Sequence, residues 1–234
     1  MTAAAPSVDA VLFDYGGVLT LPMRDSINAW IADEDIEPDS FTRTLRAWLG
    51  RNAEPGSPIH LLETGELPEE AFDAEFAAAL RTRSGAPVDP DGVLRRMFAR
   101  VTEDPEMWRL AEDLRAAGVA VALISNSWGG GNLYQRDRLG ALFDPVIISE
   151  EVGLRKPDSA IFHLALGALG VPPERAAFVD DAVPNIDGAE AVGMQGVHHT
   201  DAATTRAALA ALIPALTPDT TRASPEATPK KENA

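Results

Sequence analysis

The sequence predicts an α/β fold, a doubly wound parallel sheet into which a small helical domain is inserted. Three observations predict it. Short apolar runs of strand length end abruptly in polar residues: Ala10-Val11-Leu12-Phe13 before Asp14, Val119 to Ile124 before Ser125-Asn126, and Ala176 to Val179 before Asp180-Asp181. Segments with helical spacing alternate with those runs, and such alternation with right-handed crossovers builds a parallel sheet covered on both faces. Residues 22–102, by contrast, carry apolar positions at helical spacing, among them Phe72, Phe76, Ala79 and Leu80, and no strand-like run.

Taken in order, residues 1–7 are small and polar and are expected to fray. The first strand, over residues 8–14, delivers Asp14 to the carboxyl edge of the sheet, where open α/β folds bind ligands. Gly16 and Gly17 then let the backbone bend sharply and approach a ligand or metal closely. Within the insert, helix starts are marked by Asp39-Ser40 before Phe41, by Leu67-Pro68-Glu69-Glu70 before Phe72, and by Asp89-Pro90-Asp91 before Val93. Their acidic first turns suit the helix dipole.

The sheet pattern resumes with a helix over 105–117, whose Met107, Leu110, Ala111 and Leu114 share a face and which Gly118 ends. A strand over 119–124 follows, then a loop with Trp128 and Gly129-Gly130-Gly131, a helix over 134–142 and a strand over 145–149. The helix over 158–169 is expected to carry Pro157 at its first position, where a missing N–H costs nothing. A strand over 176–179, a helix over 184–192, a short strand over 196–199 and a helix over 204–216 complete the core. The predicted division is therefore a core of residues 8–21 and 103–216, an insert of 22–102, and a disordered Thr-, Pro- and Ala-rich tail over 217–234.

Composition narrows the functions. With 36 acidic against 20 basic side chains the 234-residue chain carries a formal charge of -16, which repels a polyphosphate backbone, so nucleic acid is not an expected partner. A small anionic substrate stays open, because a local metal ion and a lysine outweigh the global field. The absence of cysteine excludes disulfides, thiolate zinc sites and a thiol nucleophile. Residues 1–10 lack a basic start followed by an apolar stretch, and the aliphatic runs are shorter than a membrane span. The expectation is a cytoplasmic protein without a membrane partner. No sequence feature signals an oligomeric state.

In this order and spacing, Asp14, Ser125, Lys156 and the Asp180-Asp181 pair resemble the four motifs of the haloacid dehalogenase (HAD) superfamily, and the resemblance covers about residues 8–216. It implies a phosphatase-like member acting on a small phosphorylated metabolite, with the helical insert as a cap that closes over the site. It implies that Asp14 is the nucleophile and forms an aspartyl phosphate. Ser125 and the backbone N–H groups after it would donate to phosphate oxygens, Asn126 would extend that cradle or bind substrate, and Lys156 would hold both Asp14 and the phosphoryl group. Mg2+ would be held by Asp14, the Gly16 backbone carbonyl and Asp181, with Asp180 acting through water or orienting the others. Asn185 would bind phosphate or tether Lys156 or Asp181, and Asp187 is explained equally by compensation of a helix dipole. His60 and Arg24 are the insert-side groups placed to touch a substrate, and read otherwise as surface residues.

One position departs from the pattern. Gly16 stands where phosphatases of the family usually carry a second Asp, the acid that protonates the leaving group, and a general acid of this kind contributes roughly 10²- to 10⁴-fold. A magnesium-dependent phosphatase is therefore weighed against two alternatives. Dehalogenases of the superfamily also lack that Asp and attack carbon without a metal, but Asp180-Asp181 would repel a carboxylate substrate in a metal-free pocket. The other alternative is a catalytically weak HAD-fold protein that binds its ligand.

Overall fold

The computed structural model describes residues 8–49, 56–129 and 133–216. The predicted fraying start, Gly130 and Gly131 of the predicted loop, and the predicted tail lie outside the described residues. The chain opens with β1 (Ala10–Phe13) and passes into five helices, α1 (Met23–Asp33), α2 (Pro38–Leu49), α3 (Pro58–Glu63), α4 (Glu69–Ala79) and α5 (Val93–Met97). It then alternates through α6 (Pro105–Ala116), β2 (Ala120–Ser125), α7 (Arg136–Leu142), β3 (Val146–Ile148), α8 (Ser149–Val152), α9 (Ser159–Leu169), β4 (Ala176–Asp180), α10 (Val183–Ala191), β5 (Gln195–His198) and α11 (Ala202–Leu212).

The five strands form one parallel sheet in the order β3-β2-β1-β4-β5. Because side chains alternate along a strand, β1 feeds two cores. Val11 and Phe13 pack with Met107, Leu110 and Leu114 of α6 and Leu209 of α11, while Ala10 and Leu12 face Ile161, Phe162 and Ala165 of α9 and Ile186 of α10. Both faces are thus covered, which is why β1 and β4 read as uninterrupted apolar runs.

The insert has a third apolar cluster of its own, built from Trp30, Ile36, Phe41, Ile59, Leu62, Phe72, Phe76, Val93 and Met97. Its two ends are stitched together beside the core. Leu21 N–H donates to the Thr102 carbonyl at 2.9 Å, Asp104 N–H to the Leu19 carbonyl at 2.9 Å, and the buried Trp108 indole N–H to that same carbonyl at 3.0 Å.

Two local expectations are corrected. Pro157 is not the first residue of a helix: α9 begins at Ser159, and Pro157 lies in the turn before it, joined to Lys156 by a cis peptide bond. Ser149 does not end a strand, because its hydroxyl receives the Ser127 N–H at 2.8 Å and α8 starts there. The helical period of so short an element is masked by the apolar run of β3.

Candidate active site

The register of β1 against β4 pairs Phe13 with Val179, and Asp14 N–H donates to the Val179 carbonyl at 2.9 Å. Asp14 and Asp180 therefore leave adjacent strands at the same height, where the strand order reverses about β1 and α/β sheets open a crevice. Lys156 enters from the turn before α9 and is 1% exposed. Its Nζ lies 2.7 Å from Asp14 Oδ1 and 2.7 Å from Asp180 Oδ2.

Asp180 is fully buried and fully engaged. Besides Lys156 it accepts from Ala182 N–H at 2.8 Å and from Asn185 Nδ2 at 3.1 and 3.0 Å, one bond to each carboxylate oxygen. Asn185 thus reaches Lys156 through Asp180. Asp181, next in the chain, is exposed, and its carboxylate, with those of Asp14 and Asp180, offers ligand atoms within 4.8 Å of one another.

Burial pushes Asp14 up to about 7. Lys156 pulls it back, while Asp180 and Asp181 push it further up. Burial and then Asp180 raise Asp181 in the same way. For Lys156 burial disfavours the charge, but Asp14 and Asp180 outweigh it and hold the ammonium protonated well above the ordinary lysine range.

The glycine turn shapes the floor. Gly17 adopts φ +79°, and a Cβ there would stand 2.5 Å from Asp181 Oδ2, so only glycine lets that carboxylate lie against the turn. Gly16 differs: it has no left-handed φ, and a Cβ would meet the Met23 side chain at an ordinary 3.8 Å.

Ser125, at the end of β2, is buried, with Oγ 2.9 Å from the Tyr134 hydroxyl. Both ends of the Asn126 amide are engaged by the Lys156 backbone: Oδ1 accepts from Lys156 N–H at 2.8 Å and Nδ2 donates to its carbonyl at 3.0 Å. The structure thus gathers Asp14, Lys156, Asp180, Asp181 and Asn185 at one point, with Asn126 behind Lys156. It leaves Arg24 exposed beside Asp25 and sets His60 among Arg155 and Asp158.

Sequence reasoning missed Tyr15 and Tyr134, whose rings pack 4.9 Å apart beneath Ser125, and the acid Glu63, buried against Arg155. Only contact with the core distinguishes Glu63 from the insert's many surface carboxylates. A cavity of about 560 Å³ between α5 and the core is lined by Tyr15, Leu94, Phe98, Glu103 and Leu133 among others. It touches Tyr15 and none of the acidic cluster, so it is a space neighbouring that cluster.

The fold is an open parallel α/β sheet that carries a carboxylate and lysine centre at the carboxyl ends of its strands. The chain belongs to the haloacid dehalogenase-like hydrolase family, whose model matches residues 8–193. It is 34% identical to a glyceraldehyde 3-phosphate phosphatase of Methanopyrus kandleri over 196 residues, 80% of this chain and 78% of that protein. It is 28% identical to a sesquiterpene phosphatase of Aspergillus oryzae over 207 residues, 87% of this chain and 96% of that protein. A HAD family enzyme of Bacteroides thetaiotaomicron, crystallised with magnesium and inorganic phosphate, shares the fold with a TM-score of 0.59. That match has 18% identity and covers 83% of this chain and 95% of that one. Among the described residues no helix is long and apolar enough to cross a membrane.

Proposed function

We propose that this protein is a magnesium-dependent phosphatase that hydrolyses a small phosphorylated metabolite through an aspartyl phosphate on Asp14. The observation that carries the reading is the imbalance of charge at the cleft: three carboxylates, two of them buried, face one ammonium. A hard divalent cation suits an all-oxygen donor set of that sign, with Asp14, Asp181 and the Gly16 carbonyl as its protein ligands. Bound there, magnesium would screen the charge on the phosphoryl oxygens.

In this reading Asp14 attacks phosphorus, the ester P–O bond breaks, and the leaving oxygen takes its proton from water because Gly16 supplies none. Water then attacks the aspartyl phosphate, releasing phosphate and restoring the carboxylate. Lys156 holds Asp14 and the transferring group. Asp180, Asn185 and Asn126 act on Lys156 and on the turns, as positioning residues, while Ser125 donates to a phosphate oxygen. The helical insert serves as the cap. The phosphatase names of the relatives support the phosphoryl reading over dehalogenation, as does the excess of carboxylates, which disfavours a haloacid without metal.

A screen of phosphorylated metabolites with and without magnesium, run beside chloride release from haloacids, tests it. Magnesium-dependent phosphate release that falls at least about a thousand-fold in folded Asp14→Asn is the expected result. Chloride release, or no turnover of any substrate, overturns it.

A further inference from the structure

A partly buried ion pair joins the insert to the core one residue from Lys156. Glu63, the last residue of α3, is 3% exposed and places Oε2 2.6 Å from Arg155 Nε. The Glu63 main chain is held as well, since its carbonyl accepts from Ser149 Oγ, the hydroxyl that receives Ser127 N–H. Two residues on, Gly65 adopts φ +75° where a Cβ would stand 2.7 Å from the Glu150 carbonyl oxygen, so the insert lies in backbone contact with α8. The insert therefore meets three segments at once: the residues after β2, the start of α8, and the turn carrying Arg155 and Lys156.

None of these residues touches the acidic cluster; the connection runs through Asn126 to Lys156, whose ammonium does. Asn126 lies beside the Glu63 carboxylate and also brackets the Lys156 backbone at both N–H and carbonyl. Arg155, partly buried, and Lys156, fully buried, are adjacent cations in one turn, and the Glu63 carboxylate offsets both. Removing it leaves a half-sequestered guanidinium that regains solvation by moving outward and drawing the turn with it. Ile59 and Leu62 anchor the same short helix in the insert's own core, so the carboxylate moves with the insert.

We propose that Glu63 is a positioning residue: seating of the insert on the core, through Glu63 and Arg155, sets the turn that places the Lys156 ammonium on Asp14. The site is then complete only while the insert is docked, which ties access of water and substrate to the competence of the lysine. The proposal rests on the role given to Lys156 above.

The test uses the full chain and the variants Glu63→Gln, Arg155→Met and the two combined, the glutamine preserving size and hydrogen bonding. With magnesium and an aryl phosphate, each single variant is expected to lose about ten- to a hundred-fold in kcat with little change in KM, as small misplacements of a reacting group do. The double variant should lose no more than the poorer single, because both remove one interaction. Without substrate, hydrogen exchange at the Lys156 amide, which donates to Asn126, should accelerate at least about ten-fold while β1 and β2 amides keep their protection. Unchanged kcat with unchanged Lys156 exchange overturns the proposal. So do losses that multiply in the double variant, or protection lost in β1 and β2 in parallel, which would mark a role in general stability. A wild type that hydrolyses no phosphate ester defeats the proposed function, and the exchange measurement still decides this one.

Discussion

Gly16 and Gly17 stand side by side in the turn after β1 for different reasons. Only Gly17 has the left-handed φ, and only there would a Cβ strike Asp181. Gly17→Ala should cost about 1–2 kcal/mol in backbone strain and weaken magnesium binding, whereas Gly16→Ala should melt near the wild type. Equal melting of the two variants would show the turn to be less constrained than its geometry requires. Since Gly16 has room beside Met23, Gly16→Asp should fold and supply the missing acid. Wild-type rates should depend steeply on leaving-group pKa, aryl and acyl phosphates far ahead of primary alkyl phosphates, and the aspartate should flatten that dependence.

Asp14, with Lys156, Asp180 and Asp181 around it, gives the site a pH signature. With burial holding Asp14 at about 7 against an ordinary 3.8, the folded metal-free protein keeps a proton that the unfolded chain releases. Its contribution to stability is therefore full below the unfolded value and is lost as pH rises through the folded one. Denaturation in chelator between about pH 4 and pH 8 should show wild-type stability falling more steeply than that of Asp14→Asn. Parallel slopes would mean that Asp14 is not the titrating group.

At the scale of elements, the end of β4 splits two neighbouring carboxylates into different tasks. Strand geometry turns Asp180 inward, to Lys156, Ala182 N–H and Asn185, and leaves Asp181 at the mouth against the glycine turn. Asp180→Ala removes one of the two carboxylates that hold a buried ammonium and should cost about 3–5 kcal/mol. Asp181→Ala should cost little stability and lose more magnesium affinity. Melting curves beside calorimetric magnesium titrations separate the two, and the reverse order would exchange their roles.

For the whole molecule, a formal charge of -16 surrounds a centre where three carboxylates face one ammonium, a set that the proposed divalent cation would bring to balance. The long-range field then repels an anionic substrate while the local contacts hold it. Raising ionic strength from about 10 to 100 mM should increase kcat/KM for an aryl phosphate a few-fold, because screening removes the repulsion. A fall over that range, in stopped-flow or steady-state assays, would reveal a positively charged approach to the site.

The sequence by itself determined the alternating architecture, because runs buried on both sheet faces must be apolar and helices packed on them must repeat at 3.6 residues. It also determined that Asp14, Ser125 and Asp180-Asp181 stand at strand ends, since each run stops where a polar residue begins. The resemblance separated the roles of the paired aspartates, but tertiary structure decided that Asp180 is the one held by Lys156, since side-chain contacts of a strand-end pair depend on what β4 packs beside. Tertiary structure also decided that Asn126 braces the Lys156 backbone and that Pro157 precedes its helix, contacts set by a turn with no periodicity. Glu63 was invisible for the same reason: a carboxylate's burial depends on a partner 92 residues away, and nothing in the spacing of α3 records which surface that helix will meet.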